Sequence, residues 1–249
     1  MNNISNQKKD FRQQSLTRLA LLLAIFVTSI SQSNAQSNMT LYNLGEKVLS
    51  IVKSDKPETI LDYVNTGENL DKKADILASF ISTKTTLENS TDINKLNLFN
   101  VVKESDSIVY FIMKNEKKFF VIKSTLDETN KITDSFSLLK TELARKIEKG
   151  ELVYKARCYS CHGLKGKGGL LGPNLTDEYC KFSVKSDADL IDIIANGKKG
   201  TMMIAFKDYL TPEEIKDVSI YLKALKGIKV KNAKPKEGNS KSPNLKLFN

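Results

Sequence analysis

The chain has 249 residues, 40% of them hydrophobic and 27% charged, with a formal net charge of +10. That composition provides enough apolar material for one large or two small cores, and it excludes a collagen-like chain, disorder throughout and a bundle of membrane helices. The charge is uneven: the first 35 residues hold Lys8, Lys9, Arg12 and Arg18 against Asp10, the end from Lys229 holds six lysines against Glu237, and the body between them is left near +2. With no zinc-finger spacing and no aromatic-rich basic stripe, the excess charge does not indicate nucleic acid.

In chain order, residues 1–35 read as an export signal. A basic stretch to Arg18 precedes the apolar run Leu19–Ile30, and Ser33-Asn34-Ala35 offers small residues for cleavage after Ala35. The run is short for a spanning helix, which needs about 20 residues. Gln36, not a cysteine, directly follows Ala35, so a lipid anchor at the start of the mature chain is not expected. The expectation is a periplasmic protein with at most peripheral membrane contact.

Residues 36–142 read as an α+β domain. Helices are expected at Leu41–Val52, Pro57–Val64 and Leu70–Leu87, the last with Ile76, Leu77, Phe80 and Ile81 at helical spacing. The period then changes. Leu96–Val102, Ser107–Met113 and Lys118–Ser124 are rich in Val, Ile, Phe and Tyr and are separated by polar breaks, so a strand meander follows, turning at Asn115-Glu116. Lys131–Leu139 is either a fourth strand or the start of a helix. The layout has a faint topological resemblance to nuclear-transport-factor-like or cystatin-like folds, without a motif. With no histidine or cysteine in it, this part reads as a packing or docking module.

Residues 143–228 carry the chemistry. Cys158-Tyr159-Ser160-Cys161-His162 is C-x-x-C-H and contains the chain's only histidine and two of its three cysteines. Two thiols at this spacing suit thioether bonds to two heme vinyl groups, and the adjoining histidine then lies under the iron. Two other readings compete. C-x-x-C also serves redox disulfides, usually after a strand, whereas Leu143–Arg157 looks helical. Cys158, Cys161, His162 and Cys180 formally make a Cys₃His zinc set, although adjacent Cys161 and His162 fit one tetrahedral ion awkwardly.

Four runs in order, GELVYKARCYSCHG, GPNLTDEY, ADLIDIIANGKKGTMMIAF and LTPEEIKDVSIYLKAL, resemble class I cytochromes c, particularly the c-type heme modules of cbb-type heme–copper oxidases. The resemblance implies an all-α domain with one covalent heme c on Cys158 and Cys161. It implies that Gly150 lets the first helix cross the last one near Tyr221. It gives the Pro173 carbonyl the task of orienting His162, and Leu175 that of packing on the porphyrin. It implies a methionine as sixth iron ligand, Met203 when counted back from Phe206, with Met202 or an open or different ligation as alternatives because Ile204 replaces the family's proline. Cys180 stands where oxidase modules often carry tryptophan and reads as a small buried residue. Tyr179 or Lys181 is a candidate for holding a heme propionate.

Capping boxes are expected at Thr211–Glu214, with Pro212 at the first helical position, and at Ser186–Asp189. Residues 229–249 read as a basic disordered tail. The sequence thus indicates an exported monoheme electron carrier, not an enzyme, serving redox proteins such as a terminal oxidase or dehydrogenase. Two alternatives stay open: a heme-based ligand sensor or catalytic heme domain, and an electron-relay accessory subunit of a respiratory complex.

Overall fold

The computed structural model describes residues 40–139, 142–177, 179–180, 184–238 and 240–241. The expected export signal and Lys181 lie outside them. All described residues belong to one compact unit. Among them no helix is long and apolar enough to cross a membrane.

The first half is helices on a sheet. Helix α1 (Leu41–Val52) starts where Thr40 accepts the Asn43 amide, and it buries Leu44, Val48, Leu49, Ile51 and Val52. Gly45 lets it approach the sheet, since a Cβ there would lie 2.3 Å from Val101 Cγ2. Pro57–Tyr63 forms a 3₁₀ helix, tighter than the α-helix expected. Helix α2 (Leu70–Ser90), capped by Asn69, turns Ile76, Phe80 and Leu87 inward and leaves Ile81 exposed.

Strands β1 (Asn97–Lys103), β2 (Ile108–Lys114), β3 (Phe119–Thr125) and β4 (Ser137–Leu139) form one antiparallel sheet in that order. Asn115 Oδ1 accepts the amides of Lys117 and Lys118 at the β2–β3 turn. The Lys131–Leu139 segment resolves as strand rather than helix: β4 pairs with β3, and Ile132 bridges to Val64 and Leu126.

Both faces of the sheet are covered. Side chains alternate along a strand, so Val109, Phe111, Met113 and Ile122 join Leu44, Val48, Phe80 and Leu87 in one core. Tyr110, Ile112, Phe119 and Val121 point the other way, into a second core with Leu143, Ile147, Val218 and Tyr221. That second core is shared with two helices of the other half. Helix α3 (Glu142–Val153) continues through a π-helical turn (Tyr154–Cys158) into the short helix α4 (Tyr159–His162). Helix α6 (Pro212–Ala224) crosses α3, and helix α5 (Asp187–Asn196) packs beside α6. Both α5 and α6 begin with a capping box, Ser186–Asp189 and Thr211–Glu214.

Polar links tie the halves together. Asn100 Nδ2 donates to the carbonyls of Ala224 and Lys226 at 2.8 and 2.7 Å, satisfying acceptors that the end of α6 would otherwise leave open. Glu148 accepts the Phe119 amide at 2.8 Å, and Lys114 pairs with Glu151 at 2.6 Å.

The described chain beyond α6, expected to be disordered from Lys229, instead lies along the 167–177 loop as far as Lys234. The Gly227 amide donates to Thr176 O and the Lys234 amide to Lys167 O, each at 2.7 Å. Further on, β6 (Ser240–Lys241) pairs with β5 (Tyr179–Cys180). These are main-chain bonds, which composition does not encode.

Candidate functional site

Helix α3 carries the C-x-x-C-H motif to the site, and its placement depends on one close crossing. A Cβ at Gly150 would stand 2.1 Å from Asp217 O and 2.7 Å from Tyr221 Cβ, so only glycine lets α3 and α6 meet there. Tyr154, its ring tilted against that of Tyr221 with centroids 5.4 Å apart, donates its hydroxyl to Gly163 O at 2.7 Å and so ties the π turn to the end of the motif. Gly163, at φ +72°, turns the chain out of α4.

The loop after Gly163 folds back under the motif. The Gly168 amide donates to His162 O at 2.8 Å, and the Gly172 amide donates to Cys161 O at 3.0 Å. Gly172 sits so close to the imidazole that a Cβ there would be 2.8 Å from Nδ1. Pro173 O lies 3.1 Å from His162 Nδ1. A carbonyl can only accept, so Nδ1 carries the proton and Nε2 keeps its lone pair; among the described residues Nε2 makes no hydrogen bond. Burial lowers the His162 pKa, the Pro173 contact opposes that, and the Lys234 ammonium lowers it further. The ring is therefore neutral at pH 7, the form in which histidine ligates a metal. Leu175 is half-buried in the second core, its amide bonded to Gly166 O at 2.7 Å.

Cys158 and Cys161 are both free and partly exposed. Burial, then the neighbouring Cys161, pushes the Cys158 thiol up to about 11, so it is a thiol and not a thiolate at neutral pH. The pair follows a helix and not a strand, unlike the usual setting of a redox disulfide. Among the described residues no three His, Cys, Asp or Glu side chains gather as a metal site would require. Cys180 lies in β5, remote in sequence from the motif, with Tyr179 beside it under the Lys236 ammonium, 4.0 Å above the ring.

Residues 197–206 form the second loop. Gly197 ends α5 at φ +70°, and a Cβ there would lie 2.6 Å from Met203 O. Lys198 donates to that same carbonyl at 3.0 Å, and Phe206 donates to Ala195 O at 3.0 Å, which pins the loop to the end of α5. Met202 is 71% exposed, whereas Met203 is half-buried.

These features fit a heme. One imidazole nitrogen is oriented and the other makes no hydrogen bond among the described residues, two thiols stand at the attachment spacing, and one of the two adjacent methionines is half-buried. Exposed apolar residues are concentrated in this stretch of the chain: of eleven large hydrophobic residues exposed in the described chain, seven lie between Tyr159 and Tyr209, including Leu164, Leu170, Leu171 and Ile204.

Asn174, Tyr154, the π turn and the C-terminal segment were not legible as site parts. The glycines at 163, 166, 168, 169 and 172 were a signal that could have marked the tightly folded loop.

Residues 145–222 match the family model described as cytochrome c oxidase, cbb3-type, subunit III. The cbb3-type cytochrome c oxidase subunit FixP of Bradyrhizobium diazoefficiens is 36% identical over 95 residues, which are 37% of this chain and 32% of the relative. FixP of Azorhizobium caulinodans is 35% identical over 82 residues, 32% of this chain and 27% of the relative. The chain thus spans about a third or less of the length of these curated relatives. A solved structure, cytochrome CL from Methylophaga aminisulfidivorans, is 30% identical over 31% of this chain and 53% of its own, with a TM-score of 0.28.

Proposed function

Residues 145–222 are a class I cytochrome c domain resembling cbb3 oxidase heme modules, and on that premise we propose that the chain is an exported monoheme c-type cytochrome passing single electrons between redox partners. The observation that carries the reading is the Nδ1 contact of His162 with Pro173 O, which leaves Nε2 free. Carbonyl-oriented imidazole is the usual support of a ligating histidine, fixing its tautomer and its plane.

Heme, when bound, supplies a one-electron couple between ferrous and ferric iron. Each residue then has a task. Cys158 and Cys161 would hold it through two thioethers, each formed by adding an S–H across a vinyl group, which needs no oxidant. His162 would ligate the iron, and Met203, half-buried, would be the second ligand, a thioether that favours ferrous iron and a high potential. Leu175 and the apolar residues around the motif keep water away. No nucleophile or acid–base pair is called for, so the protein is an electron carrier. The location is periplasmic, with cleavage after Ala35. The partners are redox proteins, and the cbb3-type subunits among the relatives favour a terminal oxidase.

A redox titration of the heme-loaded protein tests this. A single reversible step with a one-electron slope is expected, with little binding of carbon monoxide to the ferrous form. Two steps, or tight carbon monoxide binding, would contradict it and favour a ligand sensor.

A further inference from the structure

We propose that the chain from Gly227 to Lys236 is a strap that holds the Gly163–Asp177 loop against His162, with Lys234 as a positioning residue for that ligand. The loop has little packing of its own. Gly163, Gly166 and Gly168 all take positive φ, and Leu164, Leu170 and Leu171 are exposed. Its inner side is tied to the motif through the Gly168 and Gly172 amides. Its outer side is tied to the strap.

Lys234 bridges two points of that loop, Lys167 and Asn174, through its main-chain atoms. Its amide donates to Lys167 O at 2.7 Å, and its carbonyl accepts Asn174 Nδ2 at 3.0 Å. Asn174 is buried, and its Oδ1 accepts the Thr176 amide and hydroxyl at 2.9 and 2.8 Å. Asn174 directly follows Pro173, whose carbonyl meets His162. The bond at Lys234 is therefore one residue removed from the contact that sets the imidazole plane. Two further bonds, Gly227 N to Thr176 O at 2.7 Å and Lys226 Nζ to Asp177 O at 2.9 Å, close the strap at its near end. Gly168 makes room for it, since a Cβ there would lie 2.6 Å from Lys234 Cβ. Pro235 biases Lys234 toward the extended backbone and lowers the entropy cost of docking.

This rests on His162 being the iron ligand, and the test separates the two claims. In full-length protein, Lys234→Pro removes the amide donor, while Lys234→Gln keeps the main chain and removes the ammonium with its ion pair to Glu237. Amide hydrogen exchange of the apoprotein comes first. In wild type the Lys234, Leu175 and Thr176 amides should be protected together. In Lys234→Pro the last two should exchange at least tenfold faster, with Tyr221 unchanged as a control of the fold, and Lys234→Gln should match wild type. In the heme-loaded protein the ferric low-spin resonance should show one population in wild type and Lys234→Gln, and a broadened or split one in Lys234→Pro. A Lys234 amide exchanging as in a free peptide in wild type overturns the strap, whatever the variants do. Unchanged Leu175 and Thr176 exchange in Lys234→Pro overturns it as well, and an unchanged resonance overturns the positioning role. Absence of iron-bound histidine in wild type would instead overturn the reading on which it rests.

Discussion

The two halves of the molecule are held together by different means. Residues 40–139 are closed by side chains: a sheet with one face against α1 and α2, where Phe80, Phe111 and Leu87 are fully buried. Around the motif, the chain between Tyr159 and Tyr209 is closed mostly by main-chain hydrogen bonds and glycines, with Leu164, Leu170, Leu171 and Ile204 left at the surface. A region that folds its own core has no need of a guest. A region that fixes its backbone while leaving apolar side chains outward is shaped to surround an apolar body.

That contrast can be broken or sharpened by substitution. The largest effect is expected at the methionine loop: in the heme-loaded protein Met203→Ala should lower the potential by on the order of 100 mV, within the ~0.8 V that axial ligands command. Met202→Ala, at an exposed position, should leave both the potential and the visible spectrum as in wild type. The reverse result would reassign the ligand. Next is the α3–α6 crossing. Gly150→Val drives a side chain into the Asp217 main chain and should cost about 3 kcal/mol or more by denaturant unfolding.

Asn100→Ala probes the seam between the halves. It strips two carbonyls at the end of α6 of their donor and should cost about 1–3 kcal/mol. The smallest effect is at Asp217, whose Oδ1 is buried without a hydrogen-bond partner among the described residues. Burial, then Glu213, raises its pKa against the opposing pull of Lys149, Lys146 and Arg145. A raised carboxyl favours the folded state most below its unfolded pKa, and that contribution is lost as pH rises through the folded value. Asp217→Asn should therefore be more stable than wild type at pH 7, by ~0.5 kcal/mol, with the gain vanishing near pH 4 and below. A gain that persists in acid would contradict the burial argument.

Legibility in the sequence followed the same division. The motif, the Gly150–Tyr221 crossing and the Pro173 contact are local or motif-borne, and the structure brings Gly150 against Asp217 and Tyr221 and Pro173 O against His162 Nδ1. The helices-then-meander order was also readable, because period 3.6 gave way to period 2 near Leu96. The sharing of the sheet was not read. Yet Ile108–Met113 is an unbroken apolar run, the mark of a strand covered on both faces, and it could have signalled that helices of the second half lie on it. The strap was illegible for a different reason. Its lysines and asparagines read as solvated chain, while the bonds that dock it are made by main-chain atoms of Gly227 and Lys234.

Attachment of one heme to Cys158 and Cys161, with His162 as an iron ligand, is tested by intact-mass measurement on protein matured in a host that attaches c-type heme, together with the alkaline pyridine spectrum of the same sample. A mass gain of one heme that survives acid–acetone extraction is expected, lost when both cysteines are replaced by alanine. A wild-type mass equal to that of the bare chain, or heme that extracts freely, would contradict it.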